Sequence, residues 1–257
     1  MPTAKVTIAT YDGPCSTELV TPDGEGPWPA VILLHDAGGP RTAMVQMAER
    51  IATMGYVVAV PDLFHREAPL REAFLDGADV TLGAVLGLMS DAVKGPLFFQ
   101  RYYGACLEYK NLETTIKAVL DHLTGRGDGR GSIGTTGYCM GGNASVRLAT
   151  IFGDRIAATA SFHPGRLVVQ TPDSPHLRVR SIKARVYIAG ASEDASLTDA
   201  DKVTLTEALT AADVEHEVVT YPGKHGFAVP DSTGTYDAAC AELHYTALDR
   251  LFSTTLA

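Results

Sequence analysis

Gly137-Tyr138-Cys139-Met140-Gly141-Gly142 follows the apolar run Ile133 to Tyr138 and precedes the helix-like run Asn143 to Phe152. A strand, a glycine-flanked residue and a helix in that order form a nucleophile elbow, here with cysteine where serine is commoner. The central residue of an elbow sits on a strained turn, and bulky neighbours would collide with the strand or the helix. The turn lifts the side chain above the sheet. The helix behind it starts beside the sulfur, and its partly positive N-terminus favours a thiolate.

Strands alternate with helices on both sides of this elbow. Lys5 to Thr10 and Ser16 to Thr21 alternate in polarity around Asp12-Gly13-Pro14 and read as a hairpin. Ala30 to His35 and Tyr56 to Val60 are apolar strand candidates, with a helix from Thr42 to Met54 between them. Tyr103 to Leu123 has helical periodicity. Beyond the elbow, strands are predicted at Ile156–Phe162, Ala184–Ala189 and Glu215–Tyr221, and helices at Thr198–Ala212 and Tyr236–Phe252. The alternation predicts an α/β fold: a mostly parallel sheet covered by helices on both faces, preceded by the N-terminal hairpin. With no repeat, linker or composition break, residues 1–257 read as one domain. The glycine-broken segment 63–100 reads as a cap-like insertion with helical pieces at Arg71–Asp76 and Thr81–Val93.

Composition narrows the function. Hydrophobic residues make up 46% of the chain and charged residues 20%, enough for a sizeable core and too apolar for global disorder. The net charge of −9, with no basic run, argues against a nucleic-acid partner. Cys15, Cys106, Cys139 and Cys240 form no CxxC pair, and no metal site is predicted. No signal peptide or membrane-length apolar run is visible, so the expectation is a cytoplasmic protein with reduced thiols and no membrane partner.

Ligands of parallel sheets sit beyond the carboxyl ends of the strands. Cys139 follows one strand, Gly190-Ala-Ser-Glu193-Asp194 the next but one, and Pro222-Gly-Lys-His225-Gly226-Phe227 the last. Thiol, acid and imidazole occur in the order nucleophile, acid, histidine, which belongs to the α/β-hydrolase fold. Cys139 needs a base to become thiolate, since a free thiol has a pKa of about 8.5. His225 can take that proton and return one to a leaving group. Asp194 can fix the histidine tautomer, although its neighbour Glu193 is hardly separable from it on sequence. The oxyanion needs two amide donors, predicted at Met140 and at Ala37 in the loop after the Ala30–His35 strand. His163 also follows a strand, and Phe227 follows His225; both are candidate pocket residues. Arg41, Arg66, Arg101 and Arg166 are candidate substrate anchors.

Four stretches together resemble the dienelactone hydrolase, or carboxymethylenebutenolidase, family. They are Pro61-Asp-Leu-Phe64, Gly137-Tyr-Cys-Met-Gly-Gly142, Gly190 with Asp194, and His225-Gly-Phe227. The resemblance implies one α/β-hydrolase domain, a Cys139–His225–Asp194 triad, no cofactor, and a small lactone or ester as substrate. It also implies that Asp36 stands where the family's lactonases carry a glutamate that modulates the resting thiol. Val229 stands where those lactonases carry an arginine that grips the substrate carboxylate, which points to a less anionic ester or lactone. Two alternatives share the same residues: an acyl thioesterase or peptide-releasing hydrolase, and a non-catalytic thiol sensor or binding protein on the hydrolase scaffold.

Overall fold

A computed structural model describes residues 1–127 and 129–256, with Arg130 as backbone only. Eight strands form one sheet in the order β1-β2-β4-β3-β5-β6-β7-β8. The strands are β1 (Thr3–Thr10), β2 (Gly13–Val20), β3 (Trp28–Leu34), β4 (Val57–Pro61), β5 (Gly129–Tyr138), β6 (Ile156–Phe162), β7 (Arg185–Glu193) and β8 (His216–Lys224). β1 and β2 are the antiparallel hairpin, and β2 joins β4 antiparallel; all other pairings are parallel. The predicted α/β-hydrolase architecture is therefore present.

The central strands are apolar on both sides because both faces are covered. In β3, Ile32 and Leu34 point into one core layer, and Val31 and Leu33 into the other. The second layer holds α1 (Thr42–Ala52) and α9 (Ala238–Thr255), through Met44, Met47, Ile51, Leu248 and Phe252. The first holds α6 (Tyr109–Thr124), α7 (Met140–Ile151) and α8 (Asp199–Ala211), through residues such as Ile116, Leu148 and Leu205. α8 begins in a reciprocal capping box between Thr198 and Asp201, and α9 in an Asp237 cap on the Cys240 amide.

The segment before α6 departs from the prediction of one long helix from Tyr103. It is a chain of short pieces: α2 (Leu70–Ala73), α3 (Leu82–Ser90), α4 (Lys94–Phe98), a π-helical turn (Phe99–Gly104) and α5 (Ala105–Leu107). The break before α6 comes at Glu108, whose backbone is extended. Phe64, Phe74, Phe98 and Tyr102 pack edge to face and stacked, an aromatic cluster that anchors this segment to the sheet. Among the described residues, no single helix is long and apolar enough to cross a membrane.

Candidate active site

Cys139 occupies the turn between β5 and α7 with φ 53° and ψ −113°, a left-handed conformation costly for a residue with a side chain. The neighbouring glycines permit it. A Cβ on Gly137 would lie 2.0 Å from the Gly141 carbonyl oxygen, and one on Gly141 would lie 2.1 Å from the Leu34 carbonyl oxygen. The start of α7 is thus pressed against the ends of β5 and β3. The Cys139 amide donates to the Phe162 carbonyl at 3.1 Å, tying the turn to β6 as well. Met140 is the first residue of α7, so its N–H has no partner within the helix.

His225 and Asp194 arrive from the ends of β8 and β7. The His225 ring is a third exposed and the Asp194 carboxylate is buried; Nδ1–H donates to Oδ2 at 2.7 Å. Burial alone would depress the His225 pKa. Its interactions with Cys139 and with the Asp194 carboxylate outweigh burial and push the value up to about 10. With Nδ1 engaged by Asp194, Nε2 is the ring nitrogen left over, and His225 and Cys139 line the same cavity. Burial also acts to raise the Asp194 carboxyl, but hydrogen bonds from His225 and Ser196 hold it below its ordinary value.

Ser196 was not singled out in the sequence. Its amide and hydroxyl donate to Oδ1 of Asp194 at 2.8 and 2.5 Å, and its Oγ lies 3.2 Å from His225 Nδ1. The signal was legible: an aspartate two residues before a serine forms an Asx turn. This turn distinguishes Asp194 from Glu193, which faces solvent and pairs with Lys224.

Cys139, His225, Asp194 and Ser196 open on one cavity of about 740 Å³. Met89, Phe99, Tyr103 and Leu107 of the segment between β4 and α6 give it an apolar lining, and Arg147 and Arg166 add cationic groups. Tyr103 and Arg147 were missed in the sequence because both read as ordinary helix positions. Arg147 is buried, donates to Asn143 Oδ1 at 2.8 Å and lies over the Tyr109 ring. Of the other candidate anchors, Arg66 pairs with Asp12 and Arg101 with Glu67, away from the cavity.

Three candidates sit elsewhere than predicted. His163 and Phe227 do not line the cavity: both are fully buried, packed edge to face with ring centroids 4.9 Å apart. His163 stands behind His225, 5.2 Å between centroids, with both ring nitrogens unpartnered; burial first, then His225 and His244, keeps it neutral, well below its usual pKa. Asp36 does not face the thiol. Its Oδ1 accepts from the Gly38 amide at 2.8 Å and from Arg41 Nη1 at 2.7 Å, and its Oδ2 from Arg41 Nη2 at 2.9 Å. The shorter aspartate side chain is consumed by an arginine five residues on. Ala37, next to it, is buried in the loop after β3. His35 braces that loop: Nδ1–H donates to the Asp36 carbonyl at 2.7 Å and Nε2 accepts from the Leu63 amide at 3.1 Å.

The family model of the dienelactone hydrolase family matches residues 16–256. The chain belongs to the dienelactone hydrolase family. A Synechocystis protein named "Putative carboxymethylenebutenolidase" is 26% identical over 99% of this chain and 97% of its own length. Among solved structures, a "Putative Dienelactone Hydrolase" from Klebsiella pneumoniae superposes with a TM-score of 0.81 at 20% identity, covering 98% of each chain. A dienelactone hydrolase-like promiscuous phosphotriesterase from metagenomic libraries superposes with a TM-score of 0.75 at 21% identity, covering all of both chains. These superpositions speak to the fold. Family membership makes the protein a dienelactone hydrolase-like hydrolase.

Proposed function

We propose that this dienelactone hydrolase family member hydrolyses small lactones or esters through a cysteine acyl-enzyme, without a cofactor. The observation that carries the reading is that Cys139, His225 and Asp194 line one cavity, with the His225 ring held on the Asp194 carboxylate at 2.7 Å. A thiolate paired with an imidazolium is a resting nucleophile ready for a carbonyl.

The Cys139 sulfur attacks the ester carbonyl carbon, and the carbonyl oxygen takes up negative charge. The Met140 and Ala37 amides receive that oxyanion. The tetrahedral intermediate collapses by breaking the bond to the alcohol oxygen, and His225 Nε2 gives that oxygen its proton. In a lactone the released alcohol stays tethered to the acyl group. A water then enters, His225 Nε2 takes one of its protons, and the resulting hydroxide attacks the thioester. The acid leaves and the thiolate–imidazolium pair is restored. Asp194 holds the ring orientation and stabilises its charge throughout. The apolar lining from Met89, Phe99, Tyr103 and Leu107 suits a small hydrocarbon or aromatic portion of the substrate. The chemistry needs a reduced thiol, which fits a reducing cytoplasmic compartment.

The test is steady-state hydrolysis of a panel of short aryl esters and five- and six-membered lactones by wild type, Cys139→Ala and Cys139→Ser. Wild type turns over members of the panel, Cys139→Ala loses activity by about 10³-fold or more, and Cys139→Ser keeps only a residue of it. Undiminished turnover in Cys139→Ala rules the reading out.

A further inference from the structure

Arg41 stands at the N-terminal end of α1 with 6% of its side chain exposed. Its guanidinium makes two forks. Nη1 and Nη2 hold the two oxygens of Asp36 at 2.7 and 2.9 Å. Nε and Nη2 hold the two oxygens of Asp231 at 2.6 and 2.7 Å. Nη1 also reaches the Gly39 carbonyl at 3.2 Å. A Cβ on Gly38 would fall 2.6 Å from Arg41 Nη1 and 3.0 Å from Asp36 Oδ1, so the loop is wrapped on the guanidinium.

The two carboxylates belong to the two loops that the reaction must keep in register. Asp36 immediately precedes Ala37. Asp231 lies in the second of two turns that follow His225, closed by the Val229 amide on the Gly226 carbonyl at 3.1 Å and the Ser232 amide on the Val229 carbonyl at 3.0 Å. One cation therefore bridges the loop after β3 to the loop after β8. A buried charge cluster is a poor device for stability alone, since apolar packing of equal volume is often as good. Two planar forks, however, fix distance and angle in a way apolar contact and lysine cannot.

We propose that Arg41 is a positioning residue: by clamping Asp36 and Asp231 it sets the Ala37 amide against the carbonyl that His225 and Cys139 act upon. The inference rests on the functional reading above. Its failure is separable, because it concerns the rate of acylation and not the identity of the nucleophile. Oxyanion donors work only when held about 2.7–3.1 Å from the developing charge, so loss of the clamp weakens the transition state more than substrate binding.

The experiment is stopped-flow acylation of the full chain by p-nitrophenyl acetate, followed by the burst of p-nitrophenolate, in wild type, Arg41→Gln, Arg41→Lys and Asp231→Asn. Circular dichroism checks each fold, and the rate of Cys139 alkylation by iodoacetamide checks the nucleophile. A wild type that releases no p-nitrophenolate at all fails the functional reading itself. Given release, Arg41→Gln lowers the maximal acylation rate by about tenfold or more, the half-saturating ester concentration moves less than about threefold, and alkylation stays within about twofold. Arg41→Lys, which keeps the charge and loses the forks, remains impaired. Should Arg41→Gln not fold, Asp231→Asn decides, since it weakens one fork isosterically. A folded Arg41→Gln or Asp231→Asn protein that acylates within about twofold of wild type overturns the proposal. An equal loss of alkylation overturns it too, because the damage would then lie at the sulfur.

Discussion

His225 Nδ1 donates to Asp194 Oδ2 across 2.7 Å, and the same carboxylate is held at its other oxygen by Ser196. The acid is thereby fixed on both sides, and the imidazole is held by Nδ1 with Nε2 left over on the ring. Removing the acceptor charge leaves the shape and destroys the aim. Asp194→Asn is expected to lower kcat by about 10²–10⁴-fold with little change in thermal midpoint. Esterase kinetics beside a melting curve check this; kcat within a few-fold of wild type contradicts it.

The charge state of His225 gives a second prediction. Its folded pKa is raised to about 10, because its interactions with Cys139 and with the Asp194 carboxylate outweigh burial. Stability from a raised histidine is fully present below its unfolded pKa of about 6.5 and is lost as pH climbs through the folded value. Wild type should therefore lose stability relative to Cys139→Ala between pH about 6.5 and about 10. Proton NMR of the His225 ring should titrate near 10 in wild type. In Cys139→Ala the midpoint should fall, because the interaction with the sulfur is gone. An unchanged midpoint means that the sulfur is not the source of the shift.

Much of this architecture was legible in the sequence. Ile156–Phe162 is a strand with the expected ends because its apolar run is framed by Gly153-Asp154 and His163-Pro164. The hairpin, the elbow and the helices at Thr42 and Asp199 follow equally from periodicity and turn chemistry. Residues 63–108 did not yield to the same reading. Their short helices are held by aromatic packing between distant positions such as Phe64 and Tyr102, which no local period encodes. The meeting of Cys139, Asp194 and His225 followed from one topological rule, that chemistry gathers at strand ends. That rule misplaced His163 and Phe227, because a strand end has two sides and these rings fill the layer behind His225. Asp36 was misassigned for a different reason: the sequence shows Arg41 nearby but not that its guanidinium folds back over the loop.

The elbow itself is testable through its glycines. With the Gly137 Cβ position only 2.0 Å from the Gly141 carbonyl oxygen, β5 and α7 cannot both stay in place in Gly137→Ala. A loss of about 3 kcal/mol or more is expected by urea denaturation, or failure to fold. A loss under about 1 kcal/mol would show that α7 can move freely.

Beneath the elbow, Tyr138 O–H donates to His244 Nε2 at 2.8 Å while His244 Nδ1–H donates to the Ala241 carbonyl at 2.9 Å. Burial holds His244 neutral, with its pKa pushed down to about 3. Tyr138→Phe strands a buried acceptor and should cost about 1–3 kcal/mol of stability while leaving the ester kcat nearly unchanged. Denaturation and kinetics on the same preparation check both halves, and a stability change near zero contradicts the assigned bond.

The proposed catalysis turns on a carbon–sulfur bond that forms and breaks at Cys139. Rapid-quench peptide mapping by mass spectrometry, after mixing with p-nitrophenyl acetate, looks for that bond directly. An acetyl group on the Cys139 peptide, formed within the first turnover and gone once the ester is spent, is the predicted result. Ester turnover with no acyl group ever found on that peptide, or with the label on another residue, would contradict it.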